Sequence, residues 1–173
     1  EMDFRTTTVA DIAADVSARR ISAREVVQTA LDRIEAVNPR VNAFVAVDAE
    51  AALAEAGAID ERIAGGEDVG PLAGIPIGVK DLEDAKGFRT SQGSAVYADS
   101  PPAIADSALV DRLRAAGCVV VGKTNTPELG YKGATTNPLF GSPYNPWNLE
   151  RSAGGSSGGS GAAIAAGMVP LCT

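Results

Sequence analysis

The sequence predicts an α/β domain. Three observations carry the prediction. Apolar residues recur at helical spacing through the first half, and short, almost wholly apolar runs sit between those segments. In the second half an amphipathic helix, a buried strand and a loop follow one another, which is the order of a parallel α/β unit. The chain of 173 residues is read as one domain, residues 1–173, without internal repeat or domain-scale linker.

The elements follow in order. Thr8-x-x-Asp11 and Ser22-x-x-Glu25 fit the capping box, in which a hydroxyl and a carboxylate satisfy free N–H groups at a helix start. After Ser22, Val26, Val27, Ala30, Leu31 and Ile34 keep a helical period, and Asn38-Pro39 is expected to stop that helix. Ala43 to Val47 reads as a short strand or an extended lead-in. An Ala-rich helix is expected from about Asp48 to Ala64, closed by Gly65-Gly66, and Pro71 to Gly74 is a turn. Ile75 to Val79 is an apolar strand that Pro76 confines to an edge or a strand start. Asp106 to Ala116 is an amphipathic helix with Leu109, Val110 and Leu113 on one face and Gly117 after its end. Cys118 to Val121 follows as a buried strand leading into Gly122-Lys123-Thr124-Asn125. From Gly122 to Gly161 helix and strand signals fade into a long loop, and loops of that length in a compact domain are usually functional.

Composition removes several function classes. A net charge of −7 argues against a nucleic-acid backbone or an anionic membrane as partner. There is no histidine, so imidazole-based Ser-His-Asp or Cys-His nucleophiles and mixed Cys/His zinc sites are excluded. Cys118 and Cys172 lack metal-ligand spacing and read as free thiols. The longest apolar stretch, Ala162 to Cys172, falls short of the ~18 residues of a membrane span. No basic segment followed by an apolar one marks the N-terminus, so a soluble cytoplasmic protein is expected.

The chemistry is expected around Gly154-Gly155-Ser156-Ser157-Gly158-Gly159-Ser160-Gly161. Read as a linker, this block would join two domains, but Ala162 to Ala166 follows at once as a buried helix ending at Gly167. A side-chain-poor loop at a helix start can instead bring several backbone N–H groups onto one anion or oxyanion. The phosphate-loop and dinucleotide glycine patterns are both absent. Gly154 to Gly158 fits the Gly-x-Ser-x-Gly elbow, yet that elbow needs a histidine. Serine chemistry here requires another base, and lysine is the usual substitute. Lys80 and Lys123 each close an apolar strand at the end where α/β sheets carry chemistry, where burial would favour a neutral amine. Spacing alone does not choose between them.

Four segments then carry a resemblance. Gly70-Pro71-Leu72-Ala73-Gly74-Ile75-Pro76-Ile77-Gly78-Val79-Lys80-Asp81, Gly122 to Glu128, Asn145-Pro146-Trp147-Asn148 and the Gly/Ser block resemble, in order, the motifs of the amidase signature family. Ser22 to Val45 is similar as well, so the resemblance covers nearly the whole chain. It implies the N-terminal portion of an α/β/α domain with a mixed sheet flanked by helices. It implies an amidohydrolase acting on linear C–N amide bonds through a Ser-cisSer-Lys triad and a serine acyl-enzyme. Lys80 would be the base. Ser156 would be the bridging serine, after a non-proline cis peptide that follows Gly155. Lys123 would orient loops, and Ser160 would hydrogen-bond within the loop. Leu129, Gly130 and Ser157 are the implied substrate-binding residues. No metal or organic cofactor is implied.

The family's nucleophilic serine falls just beyond Thr173, and family domains are more than twice this length. The expected partners are therefore a small-molecule amide and the C-terminal remainder of the same protein, with homo-oligomerisation open. The isolated chain is expected to be inactive. Two other readings use the same residues: the amidase subunit of a glutamyl-tRNA amidotransferase, and an inactive fragment or scaffold. Thr126 to Tyr131 resembles the stand-alone amidases more than that subunit.

Overall fold

A computed structural model describes residues 2–173. The first two helices, α1 (Val9–Ser17) and α2 (Ala23–Val41), begin at the expected caps. Thr8 accepts from the Asp11 N–H, and Ser22 and Glu25 complete a reciprocal capping box with distances of 3.1 and 2.9 Å. Such a cap is worth about 1 kcal/mol.

Pro39 does not end α2. The helix runs on to Val41 and closes on Asn42, which takes a left-handed conformation and donates its N–H to Asn38 O at 2.7 Å. Pro39 lies in the last turn, where a single lost N–H bond costs little continuity. The Asn38 side chain then brackets Phe44, donating to its carbonyl at 3.0 Å and accepting from its N–H at 2.8 Å. That pair of bonds turns the chain directly into β1 (Phe44–Val47), so the region after Asn42 is a strand. Helix α3 (Ala49–Ala64) follows from an Asp48 cap and buries Ala52, Ala56 and Ile59.

Strand β2 (Pro76–Lys80) starts on its proline, which needs no partner for an absent N–H, and so sits inside the sheet without breaking the ladder. After a long excursion comes α4 (Ala108–Ala115), capped by Ser107, not Asp106. Asp106 instead accepts from the Lys86 N–H and pairs with Arg114. On this helix Val110 is buried, whereas Leu109 faces solvent, so the expected three-residue apolar face narrows. Strand β3 (Val119–Thr124) extends the expected run by three residues and is buried throughout.

The main sheet has the order β1-β3-β2-β6, with β6 formed by Leu171–Cys172. Strands β2, β3 and β6 are parallel, and β1 runs antiparallel to β3, so the sheet is mixed. Ile75, Ile77, Val79, Val119 and Val121 are fully buried, as expected for parallel strands covered on both faces. The segment expected as one loop after Gly122 contains a hairpin of β4 (Tyr144–Asn145) and β5 (Asn148–Ser152). No helix among the described residues is long and apolar enough to cross a membrane.

Helix α5 (Gly158–Ala165) begins four residues earlier than its apolar residues suggest, inside the Gly/Ser block. Glycine permits the early start. Gly159 donates its N–H to Asn125 O at 3.1 Å, and a Cβ on it would lie 2.3 Å from the Asn125 backbone nitrogen and 2.7 Å from Ala43 O. Both obstacles are main chain, so they cannot swing aside. Gly159→Ala should therefore destabilise the protein by about 1–3 kcal/mol, read as a lower urea midpoint. Gly161→Ala, whose added Cβ would meet nothing within 4 Å, should do the opposite by up to about 1 kcal/mol through helix propensity.

Candidate active site

The register of β2 against β3 decides which lysine faces the Gly/Ser block. Lys80 lies beside Thr124, and Val79 lies beside Lys123. Side chains alternate along a strand, so Lys80 shares a face with Gly78 and Thr124, and Lys123 takes the other. The Thr124 hydroxyl is 2.7 Å from Ser160 Oγ of α5, which identifies the first face as the one α5 covers. Lys80 therefore points at the start of α5, and Lys123 points away from it.

At the end of β2, Lys80 Nζ donates to Ser156 Oγ at 2.8 Å and to Ser157 Oγ at 3.1 Å. Among the described residues no carboxylate is within ion-pair distance of this amine. Burial pushes its pKa below the ordinary lysine value, and Glu83 opposes that shift through its charge. The Gly155–Ser156 peptide is cis, as the resemblance implies. Ser157 precedes α5 in the N-cap position, yet its side chain makes no cap bond; its hydroxyl meets Lys80 instead.

Two residues that the sequence did not mark hold this loop. Thr135 Oγ1 accepts the Gly158 N–H at 3.1 Å, and the Thr135 N–H donates to Gly154 O at 2.9 Å, so one residue straps both flanks of Ser156. Gly158 lies so close that a Cβ there would come within 2.3 Å of that hydroxyl. Thr173 is the second. Its Oγ1 accepts the Lys80 N–H at 2.9 Å, and its own N–H donates to Gly78 O at 3.0 Å, which carries the β6 pairing up to the lysine. Nothing in the sequence distinguishes these threonines from their neighbours; the signal is their position across the fold.

The remaining site candidates lie on a neighbouring turn. Leu129 has a positive φ of 53° and is exposed, and Gly130 follows it at 69°. The Leu129 N–H donates to Gln92 O at 2.8 Å, while the Gln92 N–H donates to Asp81 O at 3.1 Å. The turn is thus tied through one residue to the position after Lys80, but neither Leu129 nor Gly130 hydrogen-bonds to Lys80 or Ser156. Ser160 bonds within the fold, to Thr124 and to Thr173 O at 2.8 Å. Cys118 and Cys172 are free thiols, and burial raises each to about 12, so neither supplies a thiolate near neutrality. No group of three or more His, Cys, Asp or Glu side chains among the described residues could hold a metal ion.

A lysine whose amine meets a serine hydroxyl, beside a second hydroxyl and a helix start, can move protons to and from a reacting group without imidazole. The amidase family model matches residues 25–173. The chain is 47% identical over 164 residues to a glutamyl-tRNA(Gln) amidotransferase subunit from Acidothermus cellulolyticus, covering 95% of this chain and 32% of that one. It is 43% identical to an acylamidase of Rhodococcus erythropolis over 171 residues, covering 99% of this chain and 36% of that protein. It superposes on a bacterial aryl acylamidase of the amidase signature enzymes with a TM-score of 0.91 and 37% identity, covering 96% of this chain and 34% of that one. The chain thus spans about a third of the length of the curated relatives it matches. By family model, sequence and fold together, it belongs to the amidase family.

Proposed function

We propose that this chain carries two members of a Ser-cisSer-Lys triad, Lys80 and Ser156, in an enzyme that hydrolyses linear amide bonds. The observation that carries the reading is the 2.8 Å contact between Lys80 Nζ and Ser156 Oγ, made by an amine with no carboxylate partner among the described residues. In this reading the nucleophilic serine is supplied by sequence just beyond Thr173. The protein carrying that sequence is called the full-length protein below.

The chemistry is acyl transfer. The nucleophile's hydroxyl oxygen attacks the amide carbon as its proton passes to Ser156 Oγ and the Ser156 proton passes to neutral Lys80. The C–N bond breaks when the same relay returns a proton to the leaving nitrogen. Water then attacks the acyl-enzyme carbonyl and gives a proton to the relay, which passes it to the serine oxygen as the ester C–O bond breaks and the acid leaves. Lys80 accepts a proton only as the free amine, so the rate rises with pH through the Lys80 pKa. Burial moves that acidic limb downward from the ordinary lysine value, towards neutral pH. Leu129, Gly130 and Ser157 line the acyl side of the substrate site in this reading, with the exposed Leu129 side chain supplying apolar contact.

A second reading is favoured by one observation, the 47% identity to an amidotransferase subunit. In that role the same relay would release ammonia from an amide donor for a partner protein, with the same use of Lys80 and Ser156. Glutaminase activity that depends on a co-purifying partner would select it.

In the full-length protein, Lys80→Ala should lower amide hydrolysis by about 10³-fold or more, measured as kcat/KM on a small neutral anilide. A near-normal rate would remove Lys80 from the triad. The chain 1–173 alone should show no turnover of the same anilide, because the attacking serine is absent from it; measurable turnover would place the nucleophile within these residues.

A further inference from the structure

The residue after Lys80 is a carboxylate, and it is buried against the second lysine. Asp81 is 2% exposed, Lys123 is 0% exposed, and Asp81 Oδ1 lies 3.0 Å from Lys123 Nζ. The carboxylate also accepts the Ser91 N–H at 3.2 Å and the Ser91 hydroxyl, and Lys123 also donates to Thr90 Oγ1 at 3.0 Å. On the main chain, Asp81 donates its N–H to Thr124 O at 3.0 Å and accepts from Gln92. Asp81 therefore pins the end of β2 to β3 and gathers the following loop beneath it. Neither Asp81 nor Lys123 touches Ser156, so the relay has no use for either.

A lone carboxylate could do the pinning, but it would also act on Lys80. As a general scale, an uncompensated unit charge ~10 Å from an amine, at an effective dielectric of ~20, raises its pKa by about one unit. That would favour the protonated form of the base. We propose that Lys123 is the charge-balancing residue of the site: it neutralises Asp81, so that the strand end carrying Lys80 is anchored without a net negative charge beneath the catalytic amine. The inference rests on the reading of Lys80 as a base and assigns Asp81 and Lys123 as its positioning pair.

The other groups facing Lys80 leave this role open. The Gly/Ser block offers the hydroxyls of Ser156 and Ser157, and β6 offers the Thr173 hydroxyl and the Cys172 thiol, which is neutral because burial raises it to about 12. Helix α5 carries no ionisable side chain. On the neighbouring strand Thr124 is uncharged. From the loop after β2, Glu83 raises the Lys80 pKa, and it is unchanged in every variant below.

The test reads the amine directly. The full-length protein, Asp81→Asn, Lys123→Met and the double variant are labelled with acetic anhydride across a pH series. The labelled fraction of the Lys80 peptide is quantified by mass spectrometry, and the acidic limb of kcat/KM is measured in parallel. Lys123→Met should raise the Lys80 pKa by about one unit, Asp81→Asn should lower it by a similar amount, and the double variant should return close to wild type. Single variants that match wild type, or that shift in the same direction, would overturn the proposal. Should Lys123→Met not fold, the near-isosteric Asp81→Asn decides by the sign of its shift. If labelling follows the pattern while the hydrolysis limb does not move with it, the charge balance stands and Lys80 is not the base. If the limb tracks Lys80 but the variants leave it unmoved, the base stands and the charge balance fails.

Discussion

Everything at this site depends on the register between β2 and β3. Lys80 pairs with Thr124 and Val79 pairs with Lys123. Because side chains on a strand alternate with a period of two, this pairing sends two strand-terminal lysines to opposite faces. One meets two serine hydroxyls at the start of a helix. The other meets a carboxylate within the core. A slip of one residue in β2 would turn Lys80 to the face that Lys123 occupies and take its amine away from the serines.

The second constraint is closeness. Helix α5 approaches the end of β3 until backbone touches backbone at Gly159, and Gly158 lets the Thr135 side chain come as close. Thr135 then reaches across to strap the loop on both sides of Ser156, so the hydroxyl that meets Lys80 sits on a segment held at each flank. Glycine in this block thus works through the absence of a side chain at contact points, and the block behaves as part of the packed core more than as a flexible loop. Its serines divide the work: Ser156 and Ser157 face the lysine, and Ser160 closes onto Thr124 and Thr173.

Much of this was legible in the sequence. The caps at Thr8 and Ser22, the Ala-rich third helix and the two apolar strands are local signals, and local hydrogen bonds realise them. The mixed sheet and the pairing of Lys80 with Ser156 came through the family resemblance. Patterning could name both lysines and could not rank them, because the rank lies in the register between strands far apart in sequence. Pro39 misled for a related reason: the long-range packing that follows Asn42 and the Asn38 bracket around Phe44 outweigh a local preference. Thr135, Thr173 and the pairing of Asp81 with Lys123 were silent, since an isolated threonine, or an aspartate and a lysine far apart in sequence, carries no pattern until the fold brings its partners near.

The proposed chemistry rests on the contact between Lys80 Nζ and Ser156 Oγ as a path for protons, and removal of that one hydroxyl tests it most directly. Ser156→Ala in the full-length protein leaves the lysine, the nucleophile and the acyl pocket in place. Steady-state kinetics on a neutral anilide should show kcat reduced by about 10²–10⁴-fold with KM nearly unchanged, the mark of an interaction used in the transition state. A kcat within a few-fold of wild type would mean that protons reach Lys80 by another path, and the serine bridge would be contradicted.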